Sequence, residues 1–176
     1  VIPSGRVVWI TGLSGAGKTT VARRLVGSLR QAGTACIHLD GDELREVLAD
    51  PNYGFDRESR LRGAGIYQRL ALLCARQGLV AVVSTISLFR EVHSWNRANL
   101  PGYFEVFLDV SESVRVSRDP KGLYASSRAG SLPQMPGIDL PPDLPEHPDL
   151  RIANDGGPDG IEGIARRIAE ATGLLP

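Results

Sequence analysis

The stretch that most constrains this chain is Gly12-Leu13-Ser14-Gly15-Ala16-Gly17-Lys18-Thr19, a complete G-x-x-x-x-G-K-[ST] pattern set directly after the apolar run Val7-Val8-Trp9-Ile10. Glycines in such a loop let successive backbone N–H groups curl around an anion, and a helix that follows adds its positive end. That helix is legible in Val21, Leu25 and Leu29 at i, i+4 and i+8. Strand, loop and helix therefore stand in the order the motif requires, which a Gly-rich turn that merely carries a lysine does not meet. Of twenty basic residues only Lys18 and Lys121 are lysines. A compact ammonium fits a phosphate cradle where a planar guanidinium does not, so Lys18 stands out against the arginine background. The loop reads as a nucleoside triphosphate site. Gly12, Ser14, Gly15, Ala16, Gly17, Lys18, Thr19 and Thr20 form the cradle, Lys18 reaches the β and γ phosphates, and the Thr19 hydroxyl serves Mg²⁺.

Apolar, β-rich runs at 6–11, 34–39, 79–86, 103–109 and 150–153 alternate with helical patterns. That alternation predicts an α/β fold of the phosphate-loop NTPase kind: a five-stranded, mainly parallel sheet with helices on both faces. Ile66, Leu70 and Leu73 are expected on the inner face of one long helix, and Ile161, Ile164 and Ile168 on that of a C-terminal one. The whole of 1–176 fits a single kinase-sized domain. Zero formal net charge forecasts no basic face for nucleic acid and no polybasic membrane anchor, leaving a small-molecule nucleotide as the expected partner. Neither a leader peptide nor a spanning run is recognisable, so a cytoplasmic protein is expected. Cys36 and Cys74, without C-x-x-C spacing, read as small hydrophobes.

One stretch breaks the rhythm. From 119 to 148 the chain carries most of its prolines, with Gly122, Gly130 and Gly137 between them. So long a non-periodic connection beside a phosphate site predicts a lid that excludes water during transfer.

Two carboxylates follow the second strand, in Leu39-Asp40-Gly41-Asp42. At the carboxyl end of a strand next to the phosphate loop they would lie near the γ-phosphate, where one can serve the Mg²⁺ shell and the other can take the proton of an attacking hydroxyl. A helix N-cap accounts for one of the two but not both. Arg45, three residues beyond Asp42, shares its helical face and suits an anionic substrate. Phe55 serves either as a hydrophobic staple or as a platform for a nucleobase, and Arg60 reads as a solvated ion pair with Glu58 or Asp56. Ser87 caps the next helix or faces the crevice.

These pieces together resemble the adenylylsulfate kinase family. The resemblance runs through Gly12–Thr20, Leu39–Asp42 with Arg45, Gly54-Phe55 with Arg60, Ile86-Ser87, Phe104–Phe107, the string Arg118-Asp119-Pro120-Lys121-Gly122-Leu123-Tyr124, Arg128-Ala129-Gly130, Gly137-Ile138-Asp139 and Pro145–Leu150. It implies transfer of the ATP γ-phosphoryl group to the 3′-hydroxyl of adenosine 5′-phosphosulfate. By resemblance, Lys18, Asp40, Asp42 and Lys121 carry catalysis, Thr19 and Asp40 hold Mg²⁺, and Arg118 lies by the ATP adenine. Asp42, Arg45, Phe55, Arg60, Ile86, Ser87, Lys121 and Met135 would line the acceptor side. The resemblance also leaves room for a homodimer or for fusion to a sulfurylase domain.

The departures lie on the acceptor side. Gly63-Ala64-Gly65 stands where the family usually has an Asn, Leu88 replaces a Pro, and Met135 aligns with a lid aromatic. The segment His93–Asn99 resembles a sister group that includes cytidine diphosphoramidate kinases. Such an acceptor is the alternative, and a regulatory domain that binds nucleotide without transfer chemistry is a further one, against which the intact carboxylate pair and both lysines argue.

Overall fold

The computed structural model describes residues 5–50, 54, 56–119, 122, 140–156 and 160–175. Its elements are β1 (Val7–Thr11), α1 (Lys18–Gln31), β2 (Cys36–Asp40), α2 (Gly41–Leu48), α3 (Arg57–Arg76), β3 (Val80–Ser84), α4 (Arg90–Asn99), β4 (Phe104–Asp109), α5 (Glu112–Arg118), β5 (Leu150–Ala153) and α6 (Gly160–Thr172). The strands pair in the order β2-β3-β1-β4-β5, and every pairing is parallel. The sheet is thus wholly rather than mainly parallel among the described residues. Parallel strands buried on both faces read as continuous apolar runs, and β1 and β3 are buried at every position.

Side chains alternate across the sheet and divide the core in two. On one face Val8, Ile10, Val82, Val106, Leu108 and Ile152 pack against Val21, Leu25 and Leu29 of α1 and Ile164 and Ile168 of α6. On the other Val7, Trp9, Ala81 and Val83 meet Ala64, Tyr67, Ala71 and Ala75 of α3, with Phe89 and Val92 at the start of α4. The C-terminal helix packs as its pattern predicts.

The long helix does not. Its buried face carries Ser59, Gly63, Ala64, Tyr67, Gln68, Ala71 and Ala75, whereas Ile66 and Leu70 are only partly buried and Leu73 is 55% exposed. Small residues let α3 lie close to a sheet whose facing position is the large Trp9, so bulk comes from the strand instead of the helix. The Tyr67 hydroxyl donates to the Gly41 carbonyl at 2.9 Å, joining α3 to the start of α2. Both cysteines are free and half-buried.

Candidate active site

The phosphate loop leaves the carboxyl end of β1, the central strand, and turns into α1. Two of its glycines are required by geometry. Gly15 has φ +79° and Gly17 φ +86°, and a Cβ would come within 2.9 Å of the Arg115 carbonyl at the first and 2.8 Å of Asn154 Nδ2 at the second. Gly17 is also the N-cap of α1 and offers no side chain to its first turn. By contrast α2 and α3 are capped by Asp40 and Asp56. A helix start left without a side-chain cap, approached by a glycine loop, is what an anion-binding helix terminus requires. The Lys18 ammonium arches back over the loop and donates to the Leu13 carbonyl at 2.8 Å.

Asp40 ends β2 and caps α2. Its Oδ1 accepts from the amides of Asp42 at 3.0 Å and Glu43 at 3.4 Å. Its Oδ2 accepts from Thr19 Oγ1 at 2.7 Å and Ser84 Oγ at 2.6 Å. Burial pushes this carboxyl up, but the bonds from Ser84, Thr19 and the two amides outweigh it and hold Asp40 below the usual carboxylate range. The single carboxylate thus meets both expectations, a helix cap and a partner of Thr19. His38, two residues before it on β2, has Nε2 at 2.8 Å from Ser84 Oγ, and burial lowers its pKa. Two hard oxygens, Thr19 Oγ1 and an Asp40 carboxylate oxygen, lie together beside the loop. That donor set suits Mg²⁺, which takes one or two protein oxygens and leaves the rest of its octahedron to phosphate and water.

Asp42 stands exposed in the first turn of α2. One turn on, Arg45 Nη1 donates to the Gly54 carbonyl at 3.4 Å, tying α2 to the approach of α3. Arg60 is half-buried in the first turn of α3. The β3–α4 connection supplies Ile86 and Ser87. Thr11 Oγ1, at the end of β1, donates to the Ile86 carbonyl, so this turn is fastened to the strand that carries the phosphate loop. Ser87 is buried with φ +30°, and its hydroxyl pairs with Thr85 Oγ1 at 2.9 Å. It does not cap α4, whose N-cap is Phe89. A non-glycine residue at positive φ is strained, and such strain collects at functional turns. Thr20 is exposed on the first turn of α1, and Arg118, at the end of α5, donates to the Gly15 carbonyl at 3.3 Å. Phe55, Lys121 and Met135 lie outside the described residues, as does most of the expected lid, at 120–121 and 123–139.

The last part of the lid's expected span is fixed. Asp143 donates its N–H to the Leu88 carbonyl at 3.1 Å, its Oδ2 accepts from the Arg90 amide at 3.1 Å, and its carbonyl lies 2.9 Å from His93 Nε2. The stretch from 140 to 148, expected to be part of the lid, is therefore docked on α4 at Asp143. His93 Nδ1 lies 2.7 Å from Glu105 Oε1, and the Tyr103 hydroxyl donates to the same oxygen at 2.9 Å. Burial lowers the His93 pKa, but the Glu105 carboxylate and the Asp143 carbonyl more than compensate and raise it. Burial and Glu105 push the Tyr103 phenol well above its ordinary range.

Sequence reasoning gave no role to Asn154, Ser84 or His38. Asn154 is buried just after β5, donating through Nδ2 to the Ala16 carbonyl at 2.9 Å. Its signal was position, a polar residue at the carboxyl end of a parallel strand, where the crevice of such sheets lies. For His38 and Asp40 the signal was a polar pair at i, i+2 on a strand.

A family model described as adenylylsulphate kinase matches residues 4–153. The chain is 43% identical to an adenylyl-sulfate kinase of Chloroflexus aurantiacus over 86% of its own length and 81% of that protein's. It is 37% identical to a cytidine diphosphoramidate kinase of Campylobacter jejuni, over 84% of this chain and 85% of that one. Among solved structures, it is similar to an APS kinase of Mycobacterium tuberculosis in complex with AMPPNP and APS. That likeness has a TM-score of 0.87 and 36% identity, over 96% of this chain and 98% of the other.

Proposed function

The chain belongs to the adenylylsulphate kinase family, and from that premise we propose that it transfers the γ-phosphoryl group of ATP to the 3′-hydroxyl of adenosine 5′-phosphosulfate, releasing ADP and 3′-phosphoadenosine 5′-phosphosulfate. The observation that carries the reading is the 2.7 Å bond from Thr19 to Asp40 beside a glycine loop whose helix has no side-chain cap. It joins a metal-holding pair to an anion cradle.

In this proposal the loop amides and Lys18 bind and orient the β and γ phosphates. Thr19 and Asp40 would hold Mg²⁺, which supplies charge neutralisation at the transferred group when bound. Asp42 accepts the proton of the attacking hydroxyl as the new P–O bond forms and the bond to the ADP oxygen breaks. Arg45 and Arg60 grip the acceptor's anionic end, Phe55 and Met135 pack on its base, Ile86 and Ser87 contact it, and Lys121 spans both ligands. Arg118, bonded to the loop at Gly15, borders the adenine.

A second acceptor class, cytidine diphosphoramidate, is the alternative that the departure at Gly63 leaves open. This buried position on α3 offers no side-chain amide to the substrate. ADP release measured with adenosine 5′-phosphosulfate, cytidine diphosphoramidate and plain nucleoside monophosphates separates the readings. Turnover is expected with the first, and Lys18→Ala should lower kcat/KM by about 100-fold or more. Turnover with cytidine diphosphoramidate alone reassigns the acceptor, and undiminished turnover in Lys18→Ala overturns the kinase reading.

A further inference from the structure

We infer that His38 is a positioning residue for the metal side of the site, acting through Ser84 on Asp40. The inference rests on the reading of Thr19 and Asp40 as the metal-holding pair. It follows from where the hydroxyl protons can go.

Asp40 pairs with Ser84 across β2 and β3, and His38 precedes Asp40 by two residues on the same face of β2. Strand register therefore sets the three side chains in a row. Ser84 Oγ is 2.6 Å from Asp40 Oδ2. A carboxylate cannot donate, so the only proton of the Ser84 hydroxyl lies in that bond. Ser84 then presents only lone pairs to His38 Nε2, 2.8 Å away, and that nitrogen must carry a hydrogen. With the proton on Nδ1 instead, Nε2 would be an acceptor competing for the Ser84 proton, and Asp40 would lose a bond. The chain of donors runs from His38 to Ser84 to Asp40.

Its effect reaches Thr19. Oδ2 is shared between Ser84 and Thr19, and Oδ1 is held by two backbone amides. With four donors on two oxygens the carboxylate has one orientation. The Thr19 hydroxyl commits its proton to Oδ2 and so turns its lone pairs away from the carboxylate. Outer-shell partners of this kind orient the groups that hold a metal. The His38 side chain is 12% exposed, so the somewhat larger planar ring of Phe can extend toward solvent with little loss of packing.

The test measures binding of AMPPNP by calorimetry at a series of Mg²⁺ concentrations, with no acceptor present and therefore no turnover. His38→Phe, which keeps the ring and removes the donor, should raise the Mg²⁺ concentration for half-maximal tightening about tenfold, with affinity in chelator unchanged. His38→Gln, whose amide restores an N–H donor, should return the wild-type Mg²⁺ dependence. In a Ser84→Ala background His38→Phe should add nothing, because the relay is already cut. An unchanged Mg²⁺ dependence in folded His38→Phe, or additive effects of His38→Phe and Ser84→Ala, overturns the inference. If His38→Phe does not fold, His38→Leu carries the same expectation. Asp40→Asn separates the two levels: if it too leaves the Mg²⁺ dependence unchanged, the metal reading falls, and if it alone shifts the dependence, only the role of His38 falls.

Discussion

Asp40 and Asp42 are two residues apart and chemically identical, yet their surroundings differ. Asp40 is buried with four donors on its oxygens, and Asp42 is exposed on the first turn of α2. A carboxylate so fully engaged makes a poor proton acceptor, while one open to solvent and substrate can serve as a base. Asp42→Ala should therefore lower kcat by about 100-fold or more with ATP affinity nearly unchanged, as read from steady-state rates beside calorimetric ATP binding. Equal loss of both would move Asp42 to the metal. Gly17 makes a second test at this scale. With φ +86° and a Cβ that would come 2.8 Å from Asn154 Nδ2, Gly17→Ala should cost about 1–2 kcal/mol in urea unfolding, and nucleotide binding should weaken with it. The loop residues, Asp40 and Asp42 were legible in the sequence because the phosphate motif is contiguous and its partners sit at strand ends. Ser84, His38 and Asn154 were not, because their roles arise only when β2 is laid beside β3 and the end of β5 is brought to the phosphate loop. A local pattern does not encode a cross-strand neighbour.

Among the elements, α3 shows where periodicity misleads. Its large apolar residues, Ile66, Leu70 and Leu73, lie along one stripe and its small ones along another, and the stripe that meets the sheet is the small one. The sequence reading followed size, whereas packing followed the space beside Trp9 and Val83. Leu73→Ser should change stability by no more than about 0.5 kcal/mol, as at other open surface positions. Ala71→Leu should cost about 1–3 kcal/mol by overpacking. Urea midpoints of the two variants check the assignment, and the reverse order would restore the larger stripe to the core. The β-runs fared better. All five began and ended within two residues of the observed strands, and β3 was overextended to Ile86 because the apolar pattern runs on into the turn that carries Ser87. Turns that fold back on a neighbouring strand, here through Thr11 and the Ile86 carbonyl, carry no periodic signal.

At the scale of the whole molecule, His93 joins three elements: α4, which carries it, β4 through Glu105, and the last part of the lid's expected span through Asp143. A carboxylate and a carbonyl are both acceptors, so the imidazolium is the form that satisfies both. Its folded-state pKa is raised above the ordinary 6.5, so its contribution to stability is fully present below about pH 6.5 and is lost as pH rises through the raised value. Urea midpoints should fall as pH rises above about 6.5, and His93→Gln should flatten that limb. A wild-type slope retained in His93→Gln would assign it to another group. Asp40, held low, acts at the opposite end, with stability lost as pH falls through the acidic range below 3.8. The bond from Asn154 to the Ala16 carbonyl spans 138 residues, and α1 leans on α6 through the same core. Protein synthesis starts at the other end. The glycine loop is therefore made well before the strand and helix that brace it. A growing chain therefore displays the phosphate motif before it owns a braced loop, and ATP in the surrounding fluid has no finished pocket to stabilise until Asn154 has been added.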